Sequence, residues 1–188
     1  MSGETTMAAM PFARALTRTL SAAAVLLALT TTAQAATDVR LYGALVAEPC
    51  VVAPGSEDIQ LAFGTIVDKY LYLNTRTLGQ NLDIQLAECD VTLGRTVKVT
   101  FLGTESTQLP GLLALDGGSE AAGIAIGLET PNAKPLPVNK ASDDIALQDG
   151  NSVIALKAYV QGEPEAITNR SITRGAFTAT ATFSLEYE

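Results

Sequence analysis

The strongest constraint on the fold is the alternation in the last twelve residues, 177–188. Every odd-numbered side chain there is apolar or aromatic, and every even-numbered one is Thr, Ser or Glu. Successive side chains of a β-strand point to opposite faces of a sheet, so this pattern predicts a strand with one buried face. No residue follows this strand in the sequence, so we expect one of its edges to lack a partner. An unpaired apolar edge is a site at which another chain can associate.

Shorter alternating runs elsewhere predict an all-β chain. They are separated by clusters rich in Gly, Pro, Asn and Asp, and helical periodicity is nearly absent. About seven short strands with this punctuation are typical of a β-sandwich. The apolar run 112–115 fits either a buried strand or a short 3₁₀ turn. The predicted strands are 39–45, 59–63, 82–86, 97–101, 124–128, 154–160 and 177–187.

Residues 1–35 have the features of a secretory signal peptide. Arg14 and Arg18 precede the apolar run 20–29, and Ala33 and Ala35 form a small-residue exit. A basic start, a short apolar stretch and an Ala-x-Ala exit together predict export and cleavage. A membrane anchor or an amphipathic helix is the alternative, although the apolar run is short for a membrane span.

Charge and composition argue against several function classes. The chain has a formal net charge of −8, no cluster of Lys and Arg, and no histidine. We therefore expect no nucleic-acid partner, no His-based catalysis and no His metal ligand. The paired acids at 143–144 and at Glu163 and Glu165 lie in turn-rich stretches and are expected to face water. The sequence predicts neither an enzyme nor a cofactor.

The two cysteines, Cys50 and Cys89, favour a disulfide, because paired cysteines in an exported protein usually bond. The bond would close a loop of about 39 residues and contribute ~3–4 kcal/mol to stability. A zinc site is the alternative, but two thiolates alone do not complete one.

The part of the chain after the predicted cleavage site resembles the pilin subunits of chaperone–usher fimbriae, especially the minor or adaptor subunits of type 1-like pili. The resemblance covers nearly all of that part and depends on segments that occur in the family's order. These segments are 43–50 with the first cysteine, 82–89 with the second and 97–103 after it, 112–115 with 122–128, and the final strand between Gly175 and Tyr187.

The resemblance implies an all-β, incomplete immunoglobulin-like β-sandwich that lacks its last strand, G. In such proteins a periplasmic pilus chaperone lends a strand to the open groove. At the outer-membrane usher, the N-terminal extension of the next pilin replaces that strand. We therefore expect a structural subunit of a fimbria on the cell surface, which supports cell adhesion, polymerises by strand exchange and contacts neighbouring pilin subunits. With one domain and an extension, it is expected inside or at the base of the fibre, or as an adaptor below the tip.

The resemblance also assigns roles to residues. Residues 36–47 form the donor extension, and residues 48–188 form the pilin domain. The extension would insert Val39, Leu41 and Leu45, with Gly43 in register where the groove is shallow. The expected groove and chaperone-binding strand comprises Gly175, Phe177, Ala179, Ala181, Phe183, Leu185, Tyr187 and Glu188, the carboxylate of Glu188 being held by basic residues of the chaperone.

Plainer interpretations stay open for each of these assignments. Residues 39–45 could be the first strand of a self-complete sandwich. Tyr187 could be an aromatic side chain packed at the edge of the core, and Gly175 an ordinary turn glycine. The whole chain could then be a secreted, lectin-like binding module, or an exported enzyme.

Overall fold

The computed structural model describes Arg40, residues 42–43, Leu45 and residues 47–188. The predicted signal peptide, and Val39 and Leu41 of the predicted extension, lie outside the described residues. The chain divides into two units, Met1–Ala44 and Leu45–Glu188, and the described helices and strands all belong to the second.

Two antiparallel sheets form the second unit, which confirms the predicted β-sandwich. One sheet has the strand order β1-β2-β6-β4 and the other the order β5-β3-β7. Two short helices lie between strands. The elements are β1 (Val51–Val52), α1 (Asp68–Asn74), β2 (Gln80–Cys89), β3 (Thr96–Leu102), β4 (Ile124–Glu129), β5 (Ile145–Ala146), β6 (Gly150–Gly162), α2 (Pro164–Asn169) and β7 (Thr182–Tyr187).

The core forms where the alternating faces of the two sheets meet. In β3, and over the middle of β2 and much of β6, buried side chains alternate with more exposed ones, as their sequences predict; Tyr159 of β6 is the exception and is also buried. Burying each aliphatic side chain contributes about 1.5–3 kcal/mol, so this contact between sheets holds the unit together. The side chains that alternate in this way are Ile84 and Leu86, Val97, Val99 and Phe101, and Ile154, Leu156, Ala158 and Val160.

Strand β4 is buried on both faces, which its sequence alone does not predict. Its outer face is covered partly by Arg76, whose guanidinium donates to the Glu129 carboxylate at 2.7 Å and stacks 4.1 Å from the centre of the Tyr159 ring. The Tyr159 ring also lies over Gly127, where a Cβ would come within 2.1 Å of the ring. Glycine is therefore required there by the close approach of the ring.

Helices α1 and α2 were not predicted from the sequence. They have only seven and six residues, and each buries one side chain, Leu71 or Ala166. A helix with a single buried position shows no apolar periodicity. The one usable signal is Pro164, since proline is favoured at the first helical position. The neighbouring acids Glu163 and Glu165 flank this helix start.

Three strand predictions were wrong in detail. Residues 59–63 are not a strand, and residues 177–181 precede β7 without pairing as a strand. Both segments keep their alternation, but neither forms a ladder with a neighbouring strand. Leu113 of the apolar run 112–115 forms isolated bridges to Glu105 and Ile126, so that run is neither a regular strand nor a 3₁₀ turn.

The disulfide between Cys50 and Cys89 is confirmed. Their Cα atoms are 4.1 Å apart, and both residues are buried. The bond joins the residue before β1 to the last residue of β2. Next to it, the N–H of Asp90 donates to the carbonyl of Pro49 at 2.7 Å. This corner of the sandwich is therefore fixed by a covalent bond as well as by pairing.

Reducing this disulfide is expected to lower the free energy of unfolding by ~3–4 kcal/mol, because the unfolded chain regains the entropy of a 39-residue loop. Denaturant titration of folded protein, with and without a thiol reductant, measures the difference. Replacing both cysteines by Ser should reproduce the loss. Unchanged stability in the reduced protein would show that packing alone fixes this corner.

Candidate strand-binding groove

An open apolar groove of about 930 Å³ runs along the sandwich. One lip is formed by residues 175–183 and the other by residues 57–64. Between them the floor consists of apolar side chains from β2, β3, β4 and β6 and from the loop before β4. The floor side chains are Leu82, Phe101, Leu113, Ile126, Leu128 and Ala158.

The main-chain N–H and C=O groups of the first lip have hydrogen-bond partners on one side only. Its even-numbered residues bond away from the groove: the Thr178 carbonyl accepts from the N–H of Asp116 at 2.8 Å, and the Ala176 carbonyl accepts from that of Glu120 at 2.8 Å. The Asp116 carboxylate also accepts from the N–H and the hydroxyl of Thr180, at 3.2 and 2.9 Å. These contacts hold the lip extended without a strand on its other side.

The same alternation of hydrogen-bonded even residues and free odd residues continues into β7. Thr96 and Glu188 exchange both main-chain hydrogen bonds, at 3.0 and 3.1 Å. Hydrogen-bonded pairs alternate along an antiparallel ladder, so the even residues of β7 bond to β3 and the odd ones turn their main-chain groups to the other edge. In the described part of the chain, no hydrogen bond is made by the main-chain groups of Phe177, Ala179 or Ala181.

The opposite lip also alternates between half-buried and exposed side chains. Ile59, Leu61 and Phe63 are half-buried toward the core, and the residues between them are exposed. No main-chain hydrogen bond joins this lip to residues 177–183 within the described chain. At one end the two lips approach each other, where the Phe63 and Phe177 rings lie 6.2 Å apart. Apart from the Phe63 carbonyl, which accepts from the side-chain amide of Gln80 at 3.4 Å, each lip therefore presents a row of free main-chain groups beside the apolar floor.

Of the predicted acceptor residues, five line this groove: Gly175, Phe177, Ala179, Ala181 and Phe183. The odd-numbered side chains are only half-buried, as expected of a core face that lacks a covering strand. Gly175 allows a close approach, since a Cβ there would lie 2.4 Å from the Cβ of Glu120. This contact explains why glycine is required at position 175 whether or not a partner binds.

Leu185, Tyr187 and Glu188 lie beyond the groove, in or next to β7. Leu185 packs against the core. The Tyr187 hydroxyl donates to the Cys50 carbonyl at 3.3 Å, and burial raises the pKa of Tyr187 above its usual value. The Glu188 carboxylate pairs with the ammonium of Lys98, whose pKa this contact raises. These contacts fasten the end of β7 beside the disulfide.

The second lip and the floor are the groove residues that sequence reasoning missed. Their alternation at 59–63 was visible, but it was interpreted as a strand paired within the chain. The signal that could have identified a lip is the match between this run and 177–183, two half-buried alternating segments with no segment left to lie between them.

The predicted extension is described only in part. Leu45 is fully exposed at 104%, so it does not insert into the groove of its own chain. Gly43 is exposed as well. Val39 and Leu41 lie outside the described residues, and the role of the extension stays a prediction.

The described residues offer no other chemistry at the groove. They contain no group of three or more His, Cys, Asp or Glu side chains placed to hold a metal ion. Nor does any described helix combine the length and apolar character that a bilayer crossing demands. Asp143 and Asp144 are exposed at the surface, with side-chain exposures of 75% and 55%.

Comparison with known proteins identifies the family of this chain. A family model described as "Fimbrial protein" matches residues 39–188. The chain is 33% identical to the Fimbria A protein of Serratia marcescens over 80% of this chain and 83% of that protein. It is 34% identical to the fimbrial adapter PapK of Escherichia coli over 81% of this chain and 88% of that protein.

Solved structures show the same fold. The P pilus rod subunit PapA matches with a TM-score of 0.65 and 28% identity, over 75% of this chain and all of that one. A subunit in the structure of a chaperone–usher pilus matches with the same score and identity, over 84% of this chain and 99% of that one. The sandwich is therefore the incomplete immunoglobulin-like fold of these pilins.

The relatives are structural pilus subunits. The predicted family, fold and role are thereby confirmed. The chain belongs to the fimbrial protein family and is a structural subunit of a chaperone–usher fimbria on the cell surface.

Proposed function

We propose that the groove is completed by a β-strand from another chain and that this strand addition joins the protein to its neighbours in the fimbria. The observation that carries the proposal is the unpaired main chain of Phe177, Ala179 and Ala181 beside an apolar groove of about 930 Å³. An extended peptide added to a free sheet edge gains main-chain hydrogen bonds, and its alternate side chains fill pockets. No catalytic role is included.

The donor is residues 36–47 of the next subunit. The acceptor lip presents alternate side chains at 177, 179, 181 and 183, and the extension offers four alternate positions at 39, 41, 43 and 45. A strand rises about 3.4 Å per residue, so both segments are ~20 Å long. The exposed Leu45 supports insertion into another chain rather than into its own groove.

Inserting Val39, Leu41 and Leu45 would contribute roughly 5–9 kcal/mol of apolar burial, at about 1.5–3 kcal/mol each. Main-chain hydrogen bonds to both lips add to this, and ordering a flexible extension subtracts from it. Growth can continue, because every completed groove brings in a further subunit with an open groove of its own.

Before assembly the groove needs another occupant, because an exposed apolar edge promotes association. We infer that a periplasmic chaperone lends a strand there and that exchange for the extension occurs at the outer-membrane usher. The Tyr187–Glu188 end supports a chaperone contact. The side chain of Glu188 is 51% exposed, so basic residues of a partner can reach its carboxylate.

A synthetic peptide of residues 36–47 is expected to raise the thermal unfolding midpoint of a chain that lacks residues 1–45. Ligand at about 100 times its Kd stabilises by roughly 2.7 kcal/mol. Replacing Ala181 by Asp should weaken the peptide at least about tenfold, because a carboxylate would lie in the apolar groove. Ser184→Asp is the matched control, since Ser184 is exposed on the opposite face of β7. A shortened chain that unfolds cooperatively at the same temperature with and without peptide would contradict strand addition.

Deleting residues 36–45 from the exported chain should leave a subunit that still accepts a donor but cannot donate one. The deletion removes the inserted side chains and none of the groove. Co-expression with the intact chain, followed by electrophoresis of unheated samples, would show the truncated form only at the end of an assembled chain. Loss of folded protein even when peptide 36–47 is supplied would identify the segment as a strand of its own sandwich.

A further inference from the structure

The two ends of the sandwich differ. The disulfide end contains Cys50, Cys89 and Tyr187, which β1, β2 and β7 bring together. The helix end contains α1 and Gln80, the first residue of β2. The ten residues of β2 separate the ends by roughly 30 Å at about 3.4 Å per residue.

The helix end exposes a group of apolar side chains that the described chain leaves uncovered, here called the helix-end patch. Tyr70 and Leu73 are three residues apart and so share one face of α1, and Val67 is the residue that precedes the helix. Leu73 and Leu78 are 84% and 80% exposed. Exposed apolar clusters of this kind mark contact sites between proteins. The patch consists of Val67, Tyr70, Leu73 and Leu78.

The helix-end patch is continuous with the groove. Val67 and Tyr70 line a shallow cavity of about 280 Å³ together with Thr77 and Gln80. Phe63 lines this cavity and the large groove as well. A chain segment that emerges from the groove at its Phe63–Phe177 end therefore lies next to the patch.

The direction of the donor strand determines which of its two ends emerges at the helix end. Strand F of an immunoglobulin-like sandwich pairs with an antiparallel strand G, and every strand pair in this structure is antiparallel. The acceptor lip runs from Phe177 at the helix end to Tyr187 at the disulfide end. A donor antiparallel to it ends at the helix end, so Leu45 of the donor emerges beside Phe63 and Phe177.

The length of the tether then fixes the neighbour's position. Leu45 precedes Cys50 by five residues, which span at most about 17 Å when fully extended. Cys50 lies at the disulfide end of the neighbour, so that end must sit against the helix end of the acceptor. The neighbour's disulfide end exposes its own apolar side chains, Val51 at 46% and Leu93 at 56%.

We propose that the helix-end patch is covered by the disulfide end of the following subunit, a second copy of this chain, with Leu93 as an anchor of that contact. This proposal rests on the strand-addition function above. The contact is heterologous, since a different surface is used on each copy, and it therefore repeats along an open fibre. It adds an end-to-end contact surface to the inserted strand and limits bending between successive subunits.

The test uses the full exported chain carrying Leu73→Asp and Leu78→Asp, with Leu102→Asp as control. Leu102 is 47% exposed on the outer face of β3, away from both ends. Assembled chains of the double variant should dissociate in denaturant about tenfold faster than wild type, which corresponds to roughly 1.4 kcal/mol. Leu93→Asp should have a similar effect. Adding Leu93→Lys to the double variant should restore most of the loss, because opposite charges then face each other.

A second measurement keeps this proposal separate from strand addition. Binding of peptide 36–47, which carries no folded neighbour, should stay within about twofold of wild type in every one of these variants, since none lies in the groove. If the peptide fails to bind the wild-type groove, strand addition itself is wrong. If the peptide binds and the end variants assemble and dissociate as wild type does, the end contact is wrong. A third outcome also overturns the proposal. If the helix-end changes speed dissociation but Leu93→Asp has no effect and Leu93→Lys gives no rescue, the patch contacts a different partner.

Discussion

The main chain of residues 177–181, which is hydrogen-bonded on one side only, is the constraint on which the rest of the structure depends. Its even-numbered groups are satisfied by Asp116, Ser119 and Glu120, which keep the segment extended. Its odd-numbered groups and side chains face an open groove. A chain folded this way keeps a continuous apolar floor accessible to solvent, between two extended lips.

Much of this architecture is readable from the sequence because it depends on periodicity. The alternation in 82–86, 97–101 and 154–160 predicts which side chains meet in the core. Two cysteines in an exported chain predict the disulfide. The final alternation, with threonine at the exposed positions, predicts the acceptor lip, since β-branched polar residues suit the solvent face of a strand.

The remainder depends on contacts between segments distant in sequence. A single alternating run at 59–63 does not show whether its main chain is paired, so the second lip was interpreted as an ordinary strand. The full burial of β4 follows from Arg76 and Tyr159, which come from other parts of the chain and leave no local pattern. Helices with one buried residue leave none either. The helix-end patch is equally invisible, because exposed leucines in a loop and a short helix resemble core residues in sequence.

If inserted strands join the subunits as proposed, the position of the disulfide has a mechanical consequence for the fibre. Tension transmitted through the extension enters each domain at Cys50. The disulfide passes that load directly to Cys89 at the end of β2, which pairs along most of its length with β6 in the interior of the four-stranded sheet. The two-residue β1 is thereby bypassed and does not have to resist peeling. At the other side of the joint, the proposed antiparallel donor would load its hydrogen bonds in shear, so many of them would have to break together before the fibre parts.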